Sequence, residues 1–200
     1  MEYMATQQDN AFDLAIVDPP YGIGETWKKD RSSKFHNHNS SYKNNEIPNS
    51  KYFSELFRVS KNQIIWGGNY YTEFLPARNS WFVWDKNRDY LTQHLAEGEL
   101  AWHSFSEPLR IFKATWNGFI RCEKRHGYHP HEKPVKLYEW LLTNYAKPGQ
   151  RILDTHLGSG SSAIAAYYYE VEFVGCEIDK DYYDAAVKRF NDETRQKTLI

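Results

Sequence analysis

The chain has 200 residues, enough for one globular domain with a substantial core, and its net charge of −1 excludes a uniformly polycationic protein. Two cysteines, Cys122 and Cys176, are too few and too far apart for a disulfide framework or a zinc site, so we predict no metal. The sequence shows no signal peptide and no apolar run of membrane-spanning length. We therefore expect a soluble, cytoplasmic protein that binds no membrane.

The first elements are a short helix over 3–8 and a buried strand over 12–17, which is apolar and rich in β-branched residues. The strand ends in Asp18-Pro19-Pro20-Tyr21. Proline lacks an N–H and fixes φ, and it pushes the preceding residue to extended geometry. The result is a stiff turn with one acceptor side chain, exposed carbonyls and one flat ring. This set suits holding a planar base by its exocyclic amine, and the alternative is a plain surface turn.

The middle of the chain combines regular elements with two irregular stretches. Residues 22–50 are polar and aperiodic, which indicates a long loop, and 87–128 are irregular as well. Between and within them the pattern predicts one helix and four short segments of strand: helix 50–59, and strands 63–66, 81–84, 98–104 and 109–116. Residues 108–128 hold five Lys or Arg against one Glu, which is typical of a polyanion-binding face and also of many solvated surfaces.

The last third predicts a helix over 134–146 and then a strand, loop, helix, strand and helix in succession: 151–154, 158–160, 161–169, 172–177 and 181–190. Strands that alternate with helices in this way form parallel sheets through crossover connections. The fold class is therefore α/β, and we expect one domain over 1–200.

A second constellation lies at the junction of a strand and a helix. Asp154 closes the strand, Gly158-Ser159-Gly160 opens the helix, and Glu177 ends the next strand. Glycines let a ligand approach the backbone, the helix N-terminus offers free N–H groups, and the second acid is placed to bind a ribose diol. Tight helix–strand packing and a dinucleotide site are the alternatives. We favour a nucleoside-containing donor without a pyrophosphate, because only a short stretch follows Glu177.

The two motifs together resemble those of the amino-group DNA methyltransferases that use S-adenosylmethionine. The catalytic motif of that family is (D/N/S)PP(Y/F/W), and its cofactor motif is a strand followed by FxGxG. Here the catalytic motif comes first, which is the circularly permuted order of the β group. Three further segments agree with the family: Ile65-Trp66-Gly67-Gly68-Asn69-Tyr70, Trp84-Asp85-Lys86 and His129-Pro130-His131-Glu132-Lys133-Pro134. The resemblance covers most of 10–192, with Leu157 where the family usually has Phe.

The resemblance implies a Rossmann-like methyltransferase sheet, mostly parallel and circularly permuted, in which 22–50 is a catalytic-side loop and 87–128 a target-recognition insertion. Relatives place a further strand before the first helix, so we also expect a missing N-terminal edge strand and an uncovered sheet edge.

The resemblance also implies three sets of site residues. The catalytic set is Asp18, Pro19, Pro20 and Tyr21. The cofactor set for S-adenosylmethionine is Lys133, Pro134, Asp154, Thr155, Leu157, Gly158, Gly160, Glu177 and Ile178. The DNA-binding set, in which each lysine has a solvated surface charge as its alternative, is Lys28, Lys29, Arg31, Lys34, Arg110, Lys113, Arg121, Lys124 and Arg125.

The implied function is methyl transfer to a flipped base in double-stranded DNA, and Asp18 favours adenine N6 over cytosine N4. Four alternatives stay open: a cytosine-N4 enzyme, a catalytically impaired DNA-binding remnant, a protein-glutamine or RNA methyltransferase, and a dehydrogenase. A homodimer is also left open. So is the choice between a phage or regulatory enzyme and one half of a restriction–modification pair.

Overall fold

The computed structural model of the protein describes residues 1–22, 46–87, 96–117, 120–121 and 132–195. Its strands are β1 (Phe12–Val17), β2 (Ser60–Trp66), β3 (Phe82–Asp85), β4 (Gly98–His103), β5 (Arg110–Lys113), β6 (Trp116–Asn117), β7 (Ile120–Arg121), β8 (Arg151–Asp154) and β9 (Glu172–Gly175). Its helices are α1 (Glu2–Ala5), α2 (Ser50–Val59), α3 (Val135–Tyr145), α4 (Ser161–Tyr168) and α5 (Lys180–Thr194), with a 3-10 turn at Gly68–Tyr70.

Seven of these strands form one sheet in the order β5-β3-β4-β2-β1-β8-β9, and β6 pairs with β7 in a separate ribbon. Within the sheet only β4 runs opposite to the others, since it pairs antiparallel with both β2 and β3. The predicted α/β class and mostly parallel sheet are confirmed. Among the described residues β9 pairs with β8 alone, so β9 is one of the two edge strands of the sheet.

The core lies on both faces of the sheet because the central strands are apolar on both sides. On β1, Leu14 and Ile16 pack with one buried cluster, whereas Ala15 and Val17 pack with the other. β1 pairs in parallel with β2 on one side and with β8 on the other. The carboxyl ends of these three strands therefore meet at one edge of the sheet.

Several boundaries differ from the prediction, and three of them concern β9 and α5. β9 ends at Gly175, so Glu177 lies in the following loop and does not close the strand. Helix α5 begins at Lys180 because the Asp179 side chain accepts hydrogen bonds from the N–H groups of Asp181 and Tyr182. It continues past the predicted end at 190 to Thr194, where Arg189 and Glu193 pair one turn apart.

The range 87–128, which we expected to be an insertion, contributes β4 and β5 to the main sheet. β4 belongs there because Ala101, Trp102 and His103 are all buried in the core. Within the described ranges no helix is long and apolar enough to cross a membrane. The same residues contain no group of three or more His, Cys, Asp or Glu side chains that could hold a metal ion.

Candidate functional site

The two predicted motifs follow neighbouring strands at the same edge of the sheet. Asp18 comes directly after β1, and Thr155 comes directly after β8. These two strands are parallel and hydrogen-bonded, with Ala15 opposite Leu153, and paired strands lie about 4.8 Å apart. The fold therefore brings the catalytic turn, Asp18–Tyr21, beside the glycine loop, residues 155–160. In sequence, Asp154 comes 136 positions after Asp18.

The catalytic turn is fixed by hydrogen bonds from a buried tyrosine. The Tyr71 hydroxyl donates to the carbonyl oxygens of Pro19, at 2.6 Å, and Pro20, at 2.9 Å. Tyr71 is fully buried, and this burial, together with the nearby Asp18 carboxylate, raises the pKa of its phenol far above the usual range. Tyr71 thus stays a hydrogen-bond donor and fixes the direction of both proline carbonyls.

Tyr21 folds back over its own motif. Its hydroxyl donates to Asp18 Oδ1 at 2.6 Å and lies 3.3 Å from Glu99 Oε2. The ring also covers the backbone of Gly67, where a built Cβ would lie 2.2 Å from a Tyr21 ring carbon. Gly67 has φ +69°, a conformation that glycine adopts without strain, so two independent constraints require glycine there.

The catalytic carboxylate belongs to a buried cluster of two acids and two lysines, which are Asp18, Glu99, Lys86 and Lys133. Lys133 Nζ donates to Asp18 Oδ2 and lies 3.0 Å from Glu99 Oε2. Lys86 Nζ donates to Glu99 Oε1 at 2.6 Å. Burial alone would raise the pKa of Glu99, but Lys133 and Lys86 together lower it to about 2. Glu99 is therefore ionised, and the four side chains carry formal charges that cancel.

The glycine loop is built around a buried acid. Asp154 Oδ1 accepts a hydrogen bond from the backbone N–H of His156 at 3.0 Å, and Oδ2 accepts one from Ser162 Oγ at 2.6 Å. Burial raises the pKa of Asp154 to about 7 and lowers that of His156 to about 4. The imidazole of His156 is thus neutral at pH 7, whereas Asp154 holds its proton to a far higher pH than an exposed carboxyl group.

Glu177 ties the glycine loop to the next turn. Its Oε2 accepts from the backbone N–H of Gly158 at 2.9 Å, and its Oε1 accepts from those of Ile178 and Asp179, each at 3.0 Å. The Ile178 side chain is 82% exposed beside this carboxylate. The acid is thus oriented by three backbone donors, and Oε2, which accepts one of these hydrogen bonds, has a second lone pair for a further donor.

The remaining members of the cofactor set lie around the same loop. Thr155 Oγ1 lies 2.6 Å from the Tyr52 hydroxyl, and the Leu157 N–H donates to the Cys176 carbonyl. Gly160 takes a left-handed conformation, φ +78°, directly before α4. Pro134 precedes the first residue of α3, so it is the N-cap and not part of the helix as predicted.

Lys133 joins the two halves of the site. Its ammonium contacts the catalytic carboxylate, and its backbone carbonyl accepts a hydrogen bond from Ser161 Oγ, at the start of α4, at 2.7 Å. Arg189 supports the same segment from α5, because its Nη1 donates to the Ser159 carbonyl at 3.1 Å and to Ser161 Oγ at 2.9 Å. It also pairs with the buried Glu132 at 3.4 Å.

The predicted DNA-binding residues are only partly described. Lys113 ends β5 at the same edge as Asp18, with 72% of its side chain exposed, whereas Arg110 begins β5 at the opposite edge beside Glu107. Of Arg121, the backbone lies in β7. The others lie outside the described residues: Lys28, Lys29, Arg31, Lys34, Lys124 and Arg125.

Three residues that organise the site were missed in the sequence. Tyr71 and Arg189 have no motif of their own. Glu99 lies in the partly exposed first half of β4, and an acid next to the apolar residues of this strand is the signal that could have found it.

Comparison with known proteins identifies the family of the chain. The family model described as DNA methylase, for N6 and N4 methyltransferases, matches residues 33–188. The type II methyltransferase M2.LlaDCHI of Lactococcus lactis subsp. cremoris is 30% identical over 111 residues, which is 54% of this chain and 40% of that relative. The chain thus spans less than half of that protein.

Two solved structures share the fold. The complex of M1.HpyAVI with S-adenosylmethionine aligns with a TM-score of 0.60 at 19% identity, covering 94% of this chain and 92% of the other. The cytosine-N4-specific PvuII DNA methyltransferase aligns with a TM-score of 0.62 at 13% identity, covering 94% and 82%. The predicted family and the Rossmann-like methyltransferase fold are confirmed. The chain belongs to the N6/N4 DNA methylase family.

Proposed function

We propose that this protein transfers a methyl group from S-adenosylmethionine to the exocyclic amine of a base in double-stranded DNA, with adenine N6 as the target. The observation that carries the proposal is the position of Asp18 beside the glycine loop, at the carboxyl ends of the paired strands β1 and β8. In open α/β sheets, ligands bind at this edge. Membership of the DNA methylase family supports the same reaction.

The residues after β8 and β9 fit the donor. Left-handed Gly158 and Gly160 add no side chains of their own to the loop before α4, and Glu177 offers an oriented carboxylate for the ribose hydroxyls. Asp154 would face the methionine end, and a neighbour with the same fold is a complex with S-adenosylmethionine. When bound, this cofactor supplies an electrophilic methyl group on a sulfonium.

Asp18 supplies what the acceptor amine needs. The lone pair of an exocyclic amine is delocalised into the base, which makes the nitrogen a weak nucleophile. Hydrogen bonds from the amine to the Asp18 carboxylate and to the Pro19 carbonyl would draw the nitrogen toward tetrahedral geometry. They would also stabilise the positive charge that develops on the nitrogen, so they act on the transition state. The Pro19 oxygen has a second lone pair for this bond besides the one that Tyr71 uses.

The base must leave the DNA stack to reach Asp18. Tyr21, whose hydroxyl contacts the carboxylate, stacks on Tyr70, and stacking of a base on an aromatic ring contributes about 1–3 kcal/mol. An aspartate at the first motif position favours adenine. A second candidate is cytosine N4, because a neighbour with the same fold is described as cytosine-N4-specific.

The test is methylation of unmodified double-stranded DNA with labelled S-adenosylmethionine, followed by nucleoside analysis. We expect N6-methyladenine from the wild-type protein. We expect a loss of at least about 100-fold for Asp18→Asn, because the variant removes the carboxylate but keeps the size of the side chain. Calorimetry with the cofactor should give the same affinity for both proteins, because Asp18 lies on the acceptor side.

Each other outcome has a definite meaning. N4-methylcytosine as the product would replace adenine by the second candidate. The absence of any methylated nucleoside, together with no heat of cofactor binding in calorimetry, would favour a catalytically impaired DNA-binding remnant. Near-normal turnover by Asp18→Asn would refute the catalytic assignment.

A further inference from the structure

Both oxygens of the catalytic carboxylate are already engaged. Asp18 Oδ1 accepts from the Tyr21 hydroxyl, and Oδ2 accepts from Lys133 Nζ. A base amine is itself a hydrogen-bond donor, so it must either share the two oxygens with these donors or replace one of them. A donor displaced from Asp18 inside a buried site needs another acceptor, because an unpaired buried donor is costly.

Glu99 is placed to be that acceptor. Its Oε2 lies 3.0 Å from Lys133 Nζ and 3.3 Å from the Tyr21 hydroxyl, the same two groups that hold Asp18. Its other oxygen is held by Lys86 at 2.6 Å. Lys86 in turn lies 4.8 Å from the centre of the Trp84 ring, on the strand that pairs with β4. Lys86 therefore fixes Glu99 through Oε1, the oxygen that does not face Lys133 and Tyr21.

We propose that Glu99 is a positioning residue for methyl transfer, which receives Lys133 and the Tyr21 hydroxyl when the amine of the target base binds to Asp18. The inference rests on the proposed function and adds to it a residue outside both sequence motifs. Each donor passes from one carboxylate to another within hydrogen-bond reach. The exchange therefore needs no large movement and leaves no buried donor without a partner.

Glu99 also sets the charge that the reacting amine meets. Positive charge develops on the amine during the transfer, and the ammonium of Lys133 would oppose it if Asp18 were its only partner. A second carboxylate offsets that ammonium, so Asp18 keeps its effect on the transition state. Such effects are strong here because Lys133 is almost completely buried, where charges are weakly screened.

The experiment compares Glu99→Gln with Glu97→Gln, which removes the same charge from an exposed side chain two residues away on the same chain segment. We expect Glu99→Gln to lower kcat about 10–100-fold while the KM for S-adenosylmethionine stays within about twofold, since the interaction is made in the transition state. Glu97→Gln should match the wild type in both.

Glu99→Asp supplies the rescue. It keeps the charge but shortens the side chain, so we expect a kcat between those of the wild type and Glu99→Gln, again with unchanged cofactor KM. A role in stability alone would instead lower the amount of folded enzyme and leave kcat per folded molecule unchanged. If Glu99→Gln does not fold, Glu99→Asp decides alone, and a wild-type kcat in that variant overturns the inference.

Two further results would overturn it. One is an equal kcat for Glu99→Gln and Glu97→Gln. The other is a loss that appears only as weaker cofactor binding. If the wild type and Glu97→Gln both fail to methylate DNA, the proposed function itself fails, and this inference falls with it. The ratio between the two Gln variants thus tests Glu99, whereas the activity of the wild type tests the function.

Discussion

The ring of Tyr21 lies flat against that of Tyr70, with centroids 4.9 Å apart and planes inclined by 15°. Tyr70 is 42% exposed, so this pair connects the catalytic turn to the surface. The motif tyrosine is thus positioned by an aromatic neighbour on one side and by the Gly67 backbone on another. Its orientation depends on residues of the β2 end as well as on its own motif.

The first prediction concerns the contact between Gly67 and the Tyr21 ring. Gly67→Ala should lower the rate of methyl transfer at least about tenfold, because the new methyl group displaces the Tyr21 ring. Gly149→Ala is the matched control, since Gly149 has φ +78° but no atom within 4 Å of a built Cβ. Both variants should lose about 1 kcal/mol of unfolding free energy from backbone strain. Equal turnover of the two would contradict the role of Gly67.

The second prediction concerns pH. Burial raises the pKa of Asp154 to about 7, and a cationic ammonium at the methionine end of the cofactor favours the ionised carboxylate. Cofactor affinity should therefore increase as pH rises from 5.5 to 7, by up to about tenfold per pH unit, and level off above. Calorimetry over this range measures it. Asp154→Asn should abolish the dependence, and the same slope in that variant would refute the assignment.

The same shift has the opposite effect on the free protein. Asp154 binds a proton more tightly in the folded state than at its ordinary pKa of 3.8. Its contribution to folding is therefore most favourable at low pH and is lost as pH rises from about 4 to about 7. Urea unfolding without cofactor should show a smaller loss of stability over this interval for Asp154→Asn than for the wild type.

The third prediction uses the exposure of Ile178. Ile178→Ser should change the unfolding free energy by less than about 0.5 kcal/mol, because its side chain is largely in solvent. It should weaken cofactor binding about fivefold, which corresponds to about 1 kcal/mol of apolar contact with the cofactor. Ile111→Ser, at a 53% exposed position on β5, is the control and should bind normally. Equal affinities would remove Ile178 from the site.

The fourth prediction concerns the buried arginine beneath the glycine loop. Arg189→Met should lower the unfolding free energy by about 3–5 kcal/mol, because Arg189 pairs with the buried Glu132 and holds Ser159 and Ser161. Lys188→Met removes a charge from the adjacent position, where the lysine is 69% exposed and pairs with Asp192. The urea midpoint of this control should stay near that of the wild type. A similar small effect in both variants would contradict the structural role of Arg189.

Local patterns predicted the elements that carry the two motifs. β1 was predicted because its apolar, β-branched run ends at two prolines, and β8 and α4 because a strand leads through two glycines into a helix. The family resemblance implied that the two motifs form one site, whereas the pairing of β1 with β8 was found in the structure. Glu177 was identified as an acid of the site, but its strand ends two residues earlier, at Gly175.

Glu99 was not predicted because its role depends on strand direction. In a parallel strand, the residues near the site lie at the end of the strand, but β4 runs the opposite way, so its beginning lies at that edge. Asp18 and Glu99 are also 81 residues apart in the chain, and Arg189 reaches Ser159 across 30. Short-range periodicity does not contain such pairings, which are set by tertiary packing.

The pairing of β1 with β8 has a consequence for synthesis of the protein. β1 leaves the ribosome before β8 and β9, which come more than 130 residues later in the chain. At about 5–20 residues per second, the central strand waits roughly 7–30 s for its neighbour on the cofactor side. Until β8 has been synthesised, β1 can pair with β2 alone. The apolar surface of β1 that β8 later covers is then open to chaperones. Nascent chains stalled before residue 151 should therefore bind chaperones, and those that include β9 should release them.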